Sequence, residues 1–307
     1  MKNIIKSFSI FIVLLPVFSI AQVLDPPAKA PDTVINGAFE KEHNIQKTNA
    51  YKYPKIKEKD IVWSTTVWRE IDLRQKINHH FYYPAISERN HLNPDQMSLI
   101  DVVMEAIQGQ DHAKYRVFKA EQNAKADNEF KYGELTLQEK LQLGRNGDII
   151  ETRVDEYGDI VFDQLGNTVY DTIRGKDFDR TTVRKWKIKE EWFFDKHRSV
   201  MDVRIVALCP VREVIDEDRE EDMFWIYFPE YRDMLAKTKV ANFTKNNAQQ
   251  RSYLGIFEKR MFGSRVIQES NIMNRGVTDY MVGLDALLES ERIKNEIFNI
   301  EQDMWEY

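Results

Sequence analysis

The sequence predicts an α+β fold, with mixed helices and antiparallel strands, an extended N-terminal leader and a C-terminal amphipathic helix. Three observations lead there. Segments of strand and helix character alternate irregularly, without the strand–helix rhythm of a doubly wound sheet. Runs of β-branched and aromatic residues recur, at Ile61 to Trp68, Ser199 to Cys209 and Phe224 to Phe228. The 307 residues are 31% charged and 42% hydrophobic, which excludes a disordered, collagen-like or multi-spanning membrane chain and fits one or two globular domains.

Residues 1–21 read as a secretory signal peptide. Lys2 and Lys6 give a positive start, Phe8 to Ile20 an apolar run, and Ser19-Ile20-Ala21 a small-x-small cleavage pattern. The run is shorter than the roughly 20 residues that a spanning helix needs, and no cysteine follows the cleavage point to carry a lipid. Residues 22–59 form an extended leader, because Pro26, Pro27 and Pro31 lack backbone donors and the stretch from Glu40 to Lys59 is polar. Two readings stay open for it: a simple linker, or an arm lying on a neighbouring subunit through Phe39, Tyr51 and Tyr53.

The globular body covers residues 60–276. Its first strand begins at Ile61, and Phe81-Tyr82-Tyr83-Pro84 adds an aromatic cluster. Asn93 as cap and Pro94 at the first helical position open a helix that carries Met97, Ile100, Val103 and Ile107 to Gly109. A second helical stretch covers Leu135 to Leu143. Between Asp155 and Asp171 a motif of period eight repeats turn residues followed by a short strand, which predicts a β-meander. In Ser199 to Cys209, residues Met201, Val203, Ile205, Ala207 and Cys209 share one parity, so one face of a strand is buried and Cys209 is a core residue. The acidic run Asp216 to Asp222 reads as a solvated hairpin loop, with calcium or a basic partner as the sharper alternative. Phe224 to Phe228 is a strand leading into a helix from Glu230 to about Lys237. Residues 277–307 form the terminal helix, with Leu284, Leu287, Leu288, Ile293, Ile297, Ile300 and Met304 at three and four spacings. It either packs on its own core or docks on another subunit.

The search for chemistry is mostly negative. The formal net charge of −6 argues against a nucleic-acid partner. A single Cys209 excludes an intramolecular disulfide and every multi-cysteine zinc or iron–sulfur pattern. The histidines His43, His79, His80, His91, His112 and His197 form no metal-ligating spacing. No nucleophile elbow and no Gly-rich phosphate loop occurs. Paired carboxylates remain open as a route to glycan hydrolysis, since any of the 50 Asp and Glu residues could converge in the fold.

Several segments carry a resemblance. These are Trp68-Arg-Glu-Ile-Asp72-Leu-Arg74 with Tyr82-Tyr83-Pro84, the stretch Glu191 to Arg204, the stretch Phe224 to Met234, and Phe257-Glu-Lys-Arg-Met-Phe262. Over roughly Ile61 to Val282 the chain resembles the gliding-motility protein N family. The resemblance implies a structural subunit with no catalytic residues, cofactor or metal. It implies a place in the periplasm, peripheral to the outer membrane, within the ring of the type IX secretion system. The implied partners are an outer-membrane lipoprotein, the periplasmic part of the inner-membrane motor proteins, and further copies of the chain around the ring. A periplasmic hydrolase acting on peptidoglycan or glycans is the alternative. Aromatics suit interface cores, and Trp63, Trp68, Tyr82 and Tyr83 in the first block with Trp305 and Tyr307 at the tail are the contact candidates. A ring needs two different surfaces that match head to tail, and leader and tail could supply them.

Overall fold

A computed structural model describes residues 48–85, 97–120, 130, 133–143, 149–152, 170–173, 179–214, 219–241 and 250–305. The signal peptide and most of the leader lie outside the described residues. In chain order the elements are β1 (Ile61–Asp72), α1 (His79–Tyr82), α2 (Leu99–Gln108), β2 (Val117–Lys119), α3 (Leu137–Gln142), β3 (Ile149–Thr152), β4 (Tyr170–Ile173), β5 (Val183–Asp195), β6 (Val200–Val214), β7 (Arg219–Asp222), β8 (Phe224–Tyr227), α4 (Phe228–Lys237), α5 (Tyr253–Glu258), β9 (Arg265–Glu269) and α6 (Leu284–Trp305). Seven strands form one antiparallel sheet in the order β2-β8-β6-β5-β1-β9, with β7 also paired to β6. The architecture is α+β, as the irregular alternation predicts.

Strands β3 and β4 pair by themselves as a separate two-stranded sheet. The predicted meander lies outside the described residues except for Tyr170 and Asp171, which open β4.

The long strands β1, β5 and β6 are the frame. On β1 and β5 the paired residues Ile71 with Trp186 and Arg69 with Ile188 point to one face, where α1, α2, α4 and α5 close the main core. That core holds Phe81, Leu99, Val103, Ile107, Phe228, Tyr231, Tyr253 and Phe257, all essentially inaccessible to water. Two-residue alternation builds such a face.

Strand β6 departs from the predicted single parity. Its register to β5 slips between Lys189↔Ala207 and Glu190↔Ile205, leaving Val206 as the extra residue of a bulge. Ile205 and Leu208 therefore join the main core, whereas Ala207 and Cys209 pack with Trp68 and Trp225 in a smaller cluster. Cys209 is a buried core residue, and burial pushes its thiol pKa well up, away from reactivity. The strand also continues through Pro210. Strand β8 pairs with Ala207 and Leu208 and β7 with Val211 to Val214, so proline stands at the break between the two partners.

The acidic run is another correction. Residues Arg219 to Asp222 are not loop but β7, because each carboxylate meets a cation across the sheet. Glu220 pairs with Lys185 at 2.6 Å, Glu221 with Arg212 at 2.7 Å, and Asp222 with Lys187 at 2.7 Å.

The first long helix begins later than the sequence predicts. Residues 91–96, including Asn93 and Pro94, lie outside the described residues, and Met97 and Ser98 precede the first helical turn. The cap is Ser98, whose Oγ accepts from the Asp101 N–H while Asp101 Oδ2 accepts from the Ser98 N–H at 3.1 Å and from its hydroxyl at 2.5 Å. The second oxygen of Asp101 takes a hydrogen bond from Arg180 Nη1 at 2.8 Å, and both side chains are shielded from water. One carboxylate thus starts the helix and ties it to the approach to β5. Replacing Asp101 with Ala strands Arg180 and removes the cap. Urea denaturation should show a loss of about 3–5 kcal/mol, and pairing the change with Arg180→Met should recover part of it.

A second test uses pH. His80 in α1 has its pKa drawn from 6.5 to about 4, first by burial and further by cationic Arg251 and neighbouring His79, against a hydrogen bond to the Ile77 carbonyl. The folded protein holds the ring neutral, whereas the unfolded chain takes up a proton near its ordinary pKa. Stability should fall as pH drops from about 6.5 to about 4 and level off below, by about 2 kcal/mol after allowing for partial solvation. The same series on His80→Asn should lose this segment of the pH profile.

Candidate partner-binding surface

Several of the charged groups that the fold buries are paired with one another, while Trp186 Nε1 and His80 Nε2 are buried without a hydrogen-bond partner. Glu190 on β5 is wholly buried and takes Arg260 Nη1 at 2.9 Å and Nη2 at 3.0 Å, with Trp192 Nε1 donating at 3.1 Å. Arg69 donates from Nε to Ser264 Oγ at 2.9 Å, and desolvation lowers its pKa. Asp195 accepts from the His197 N–H and from Arg198 Nε at 2.7 Å. The Arg198 guanidinium holds its carboxyl below the usual range. These are joints of the fold rather than a converging pair of acids. Among the described residues no group of three or more His, Cys, Asp or Glu side chains is placed to hold a metal ion.

The predicted contact residues divide. Trp68 is 3% exposed with the Lys189 ammonium over its ring at 4.9 Å; this candidate is a core residue, because the fold itself covers it. Trp63 is half-buried against the cluster beneath α6 with Trp192. Tyr82 is half-buried. Its hydroxyl accepts from Arg184 Nη1 at 2.7 Å and donates to the Thr181 carbonyl at 3.3 Å. Tyr83 stands edge-on to Tyr82, 5.0 Å between centroids, and is 40% exposed. Trp305 ends α6, and Tyr307 lies outside the described residues. The structure therefore brings Tyr82 and Tyr83 together, leaves Tyr83 on the surface, and packs Trp63 into the cluster beneath the terminal helix.

The described end of the leader is tied to its own body. The Tyr53 ring lies between two guanidinium groups, 3.6 Å from Arg232 and 4.3 Å from Arg204. Arg232 donates to the Tyr51 carbonyl at 2.6 Å and Arg204 to the Pro54 carbonyl at 3.0 Å. Cations stacked on an aromatic face attract its negative quadrupole, and burial raises the Tyr53 phenol pKa. Tyr53 thus anchors on its own chain, whereas Tyr51 is 68% exposed. Phe39 lies outside the described residues.

The terminal helix carries an exposed apolar stripe. At 100° per residue, Ala286, Ser290, Ile293 and Ile297 fall on one side, and this side packs on Val67, Val266 and Val277. Ser290 Oγ accepts from the Val266 N–H at 2.8 Å, so the helix also satisfies a donor of edge strand β9. On the opposite side Leu284, Leu287, Leu288 and Phe298 are each between 47% and 71% exposed. Of the two readings left open for this helix, packing on its own core holds for one stripe, and a second stripe is exposed. Sequence periodicity could have flagged the pair of stripes, since leucines at 284, 287 and 288 are out of phase with Ile293 and Ile297. Phe298 was missed because the apolar spacing was read as a single face.

An α+β sheet with Glu190, Arg69 and Asp195 each held by a neighbour and an apolar stripe standing off its last helix has the build of a contact module. The chain belongs to a gliding-motility family: residues 56–306 match the family model for gliding motility associated protein GldN. That span contains every strand and helix described above. No curated protein matches the chain. Among the described residues no helix is long and apolar enough to cross a membrane.

The two stripes of α6 differ in what they do for the isolated protein. Ile293→Ala should cost about 3 kcal/mol in urea denaturation because it opens a cavity beneath the helix. Leu287→Ala should change stability by less than about 0.5 kcal/mol. Equal losses at both positions would show that the outer stripe is covered.

Proposed function

We propose that this protein is a structural subunit of the periplasmic ring of the type IX secretion system. In this reading it is exported, it associates with an outer-membrane lipoprotein, it contacts the periplasmic part of the inner-membrane motor, and it is needed for secretion and gliding. The observation that carries the reading is the outer stripe of α6 in a chain of the gliding-motility family. Four large apolar side chains on the open side of a packed helix have no role in the stability of the monomer, and such patches are the usual mark of a binding face. The satisfied state of Glu190, Arg69 and Asp195 supports a scaffold over a hydrolase, which needs acids free to act on substrate.

Co-expression with the outer-membrane lipoprotein of the secretion system tests the reading. The expected product is a megadalton particle, ring-shaped by negative stain, and the pair Leu287→Glu and Leu288→Glu should reduce its yield at least tenfold while the purified subunit keeps its unfolding midpoint. A stable monomer that never joins the lipoprotein would overturn the reading. Full secretion and gliding in cells carrying the double variant would do the same.

A further inference from the structure

The outer side of α6 is acidic as well as apolar. Between Leu284 and Trp305 the sequence has six acidic side chains, Asp285, Glu289, Glu291, Glu296, Glu301 and Asp303, against Arg292 and Lys294 alone. Both cations are engaged within the helix, Arg292 with Glu289 and Glu296, and Lys294 with Glu291. The acids that these two cations do not engage are Asp285, next to Leu284, and Glu301 and Asp303 near the C-terminal end of the helix. A second copy laid helix to helix would set acid against acid, so the occupant of this stripe should be basic.

A basic counterpart is present elsewhere on the same molecule. Lys52, Lys55, Lys57 and Lys59 are all exposed along the segment that leads into β1, with Glu58 the only acid among residues 51–59. Lys55 and Lys57 lie in phase along extended backbone, Lys59 sits in the 3-10 turn Glu58–Asp60 that follows, and exposed Tyr51 and Val62 flank the set. The segment is held in place rather than loose, because Arg204 and Arg232 grip Tyr53 and the carbonyls of Tyr51 and Pro54. A lysine row on a fixed support loses little freedom on binding.

The Tyr53 clamp is built by β6 and α4, whereas α6 packs against β9, and β5 and β1 run between β6 and β9 in the sheet. The lysine segment leads from the clamp into β1, whose Trp63 packs in the cluster under α6. The segment and the outer side of α6 are two different surfaces, and such a pair can join one copy to the next. Such a contact is heterologous, and repeated it closes a ring or runs as a filament.

We infer that the lysine row of residues 52–59 on one copy docks against the acidic, leucine-bearing side of α6 on the next. The inference rests on the ring reading and names the two surfaces through which copies meet. The leucines and Tyr51 supply apolar contact, while the opposite charges set the direction and the register of the chain of subunits.

Charge reversal on the full chain tests it, with and without the lipoprotein, by sedimentation and light scattering at about 50 mM and about 500 mM salt. Reversing the row (Lys55→Glu, Lys57→Glu, Lys59→Glu) and reversing the helix (Asp285→Lys, Glu301→Lys, Asp303→Lys) should each weaken copy-to-copy association at least tenfold. An equimolar mixture of the two variants should associate again, because each then meets its complement. High salt should weaken the wild-type contact and the mixed contact alike. The unfolding midpoint of each variant, measured in parallel, separates lost contact from lost fold, and the mixing result cannot arise from misfolded chains. Assembly with the lipoprotein that survives both reversals would sink this inference and leave the ring reading standing. Failure of the wild type to assemble under any of these conditions would sink both. A loss on helix reversal with no loss on row reversal would assign the α6 stripe to a different partner and overturn the proposed pairing.

Discussion

Glu190 sits at the point on which the helical face of the sheet is organised. Along β1 the same-face residues run Ile71, Arg69, Val67, and along β5 they run Ile188, Glu190, Trp192. Ile71 and Ile188 belong to the main core, while Val67 and Trp192 belong to the cluster under α6, so a charged row lies between two apolar clusters on one face. Arg260 binds the Glu190 carboxylate with two nitrogens, and Arg69 reaches Ser264. Both contacts draw the segment between α5 and β9 down onto the middle of the sheet. A buried ion pair gains little stability over an apolar pair, but it costs much when one partner is missing. Its effect here is on position: the segment entering β9 is fixed, β9 fixes Val266, and Val266 takes the Ser290 hydroxyl of α6.

The bulge at Val206 falls opposite that charge, since Glu190 pairs with Ile205 across the register shift. The extra residue lets β6 serve both faces of the sheet. Ile205 and Leu208 fill the main core, and Ala207 and Cys209 back the Trp68 and Trp225 cluster on the other side. The same rephasing takes the N-terminal part of β6 past the end of β8, which pairs only with Ala207 and Leu208. Arg204 in this part of the strand is the residue that, with Arg232 of α4, receives the leader at Tyr53.

These arrangements leave the molecule with a stiff frame and two decorated flanks. The clamp holds an otherwise extended, lysine-bearing segment on one flank. On the other, α6 spends half of its apolar residues on the sheet and keeps Leu284, Leu287, Leu288 and Phe298 outside. On the proposed function, stability and contact must come from different residues, because a face that is needed to fold cannot also be given to a partner without a competing equilibrium.

Local chemistry by itself determined the class of fold, the strands β1, β6 and β8, the helix that carries Ile100 to Ile107 and the amphipathic tail, because each shows in the run and spacing of its own side chains. The membership in a gliding-motility family was also legible, through stretches such as Glu191 to Arg204. Tertiary structure alone decided which of the apolar and charged residues are spent. Trp68 read as a contact anchor, yet a lysine and the rest of the fold cover it. The acidic residues Glu220, Glu221 and Asp222 read as loop, yet cations on β5 and β6 draw them into a strand. The parity of β6 read as one face, yet a single bulged residue divides it. In each case the deciding partner lies far away in the chain or across a register that no local pattern encodes, and burial is a property of that partner as much as of the residue itself.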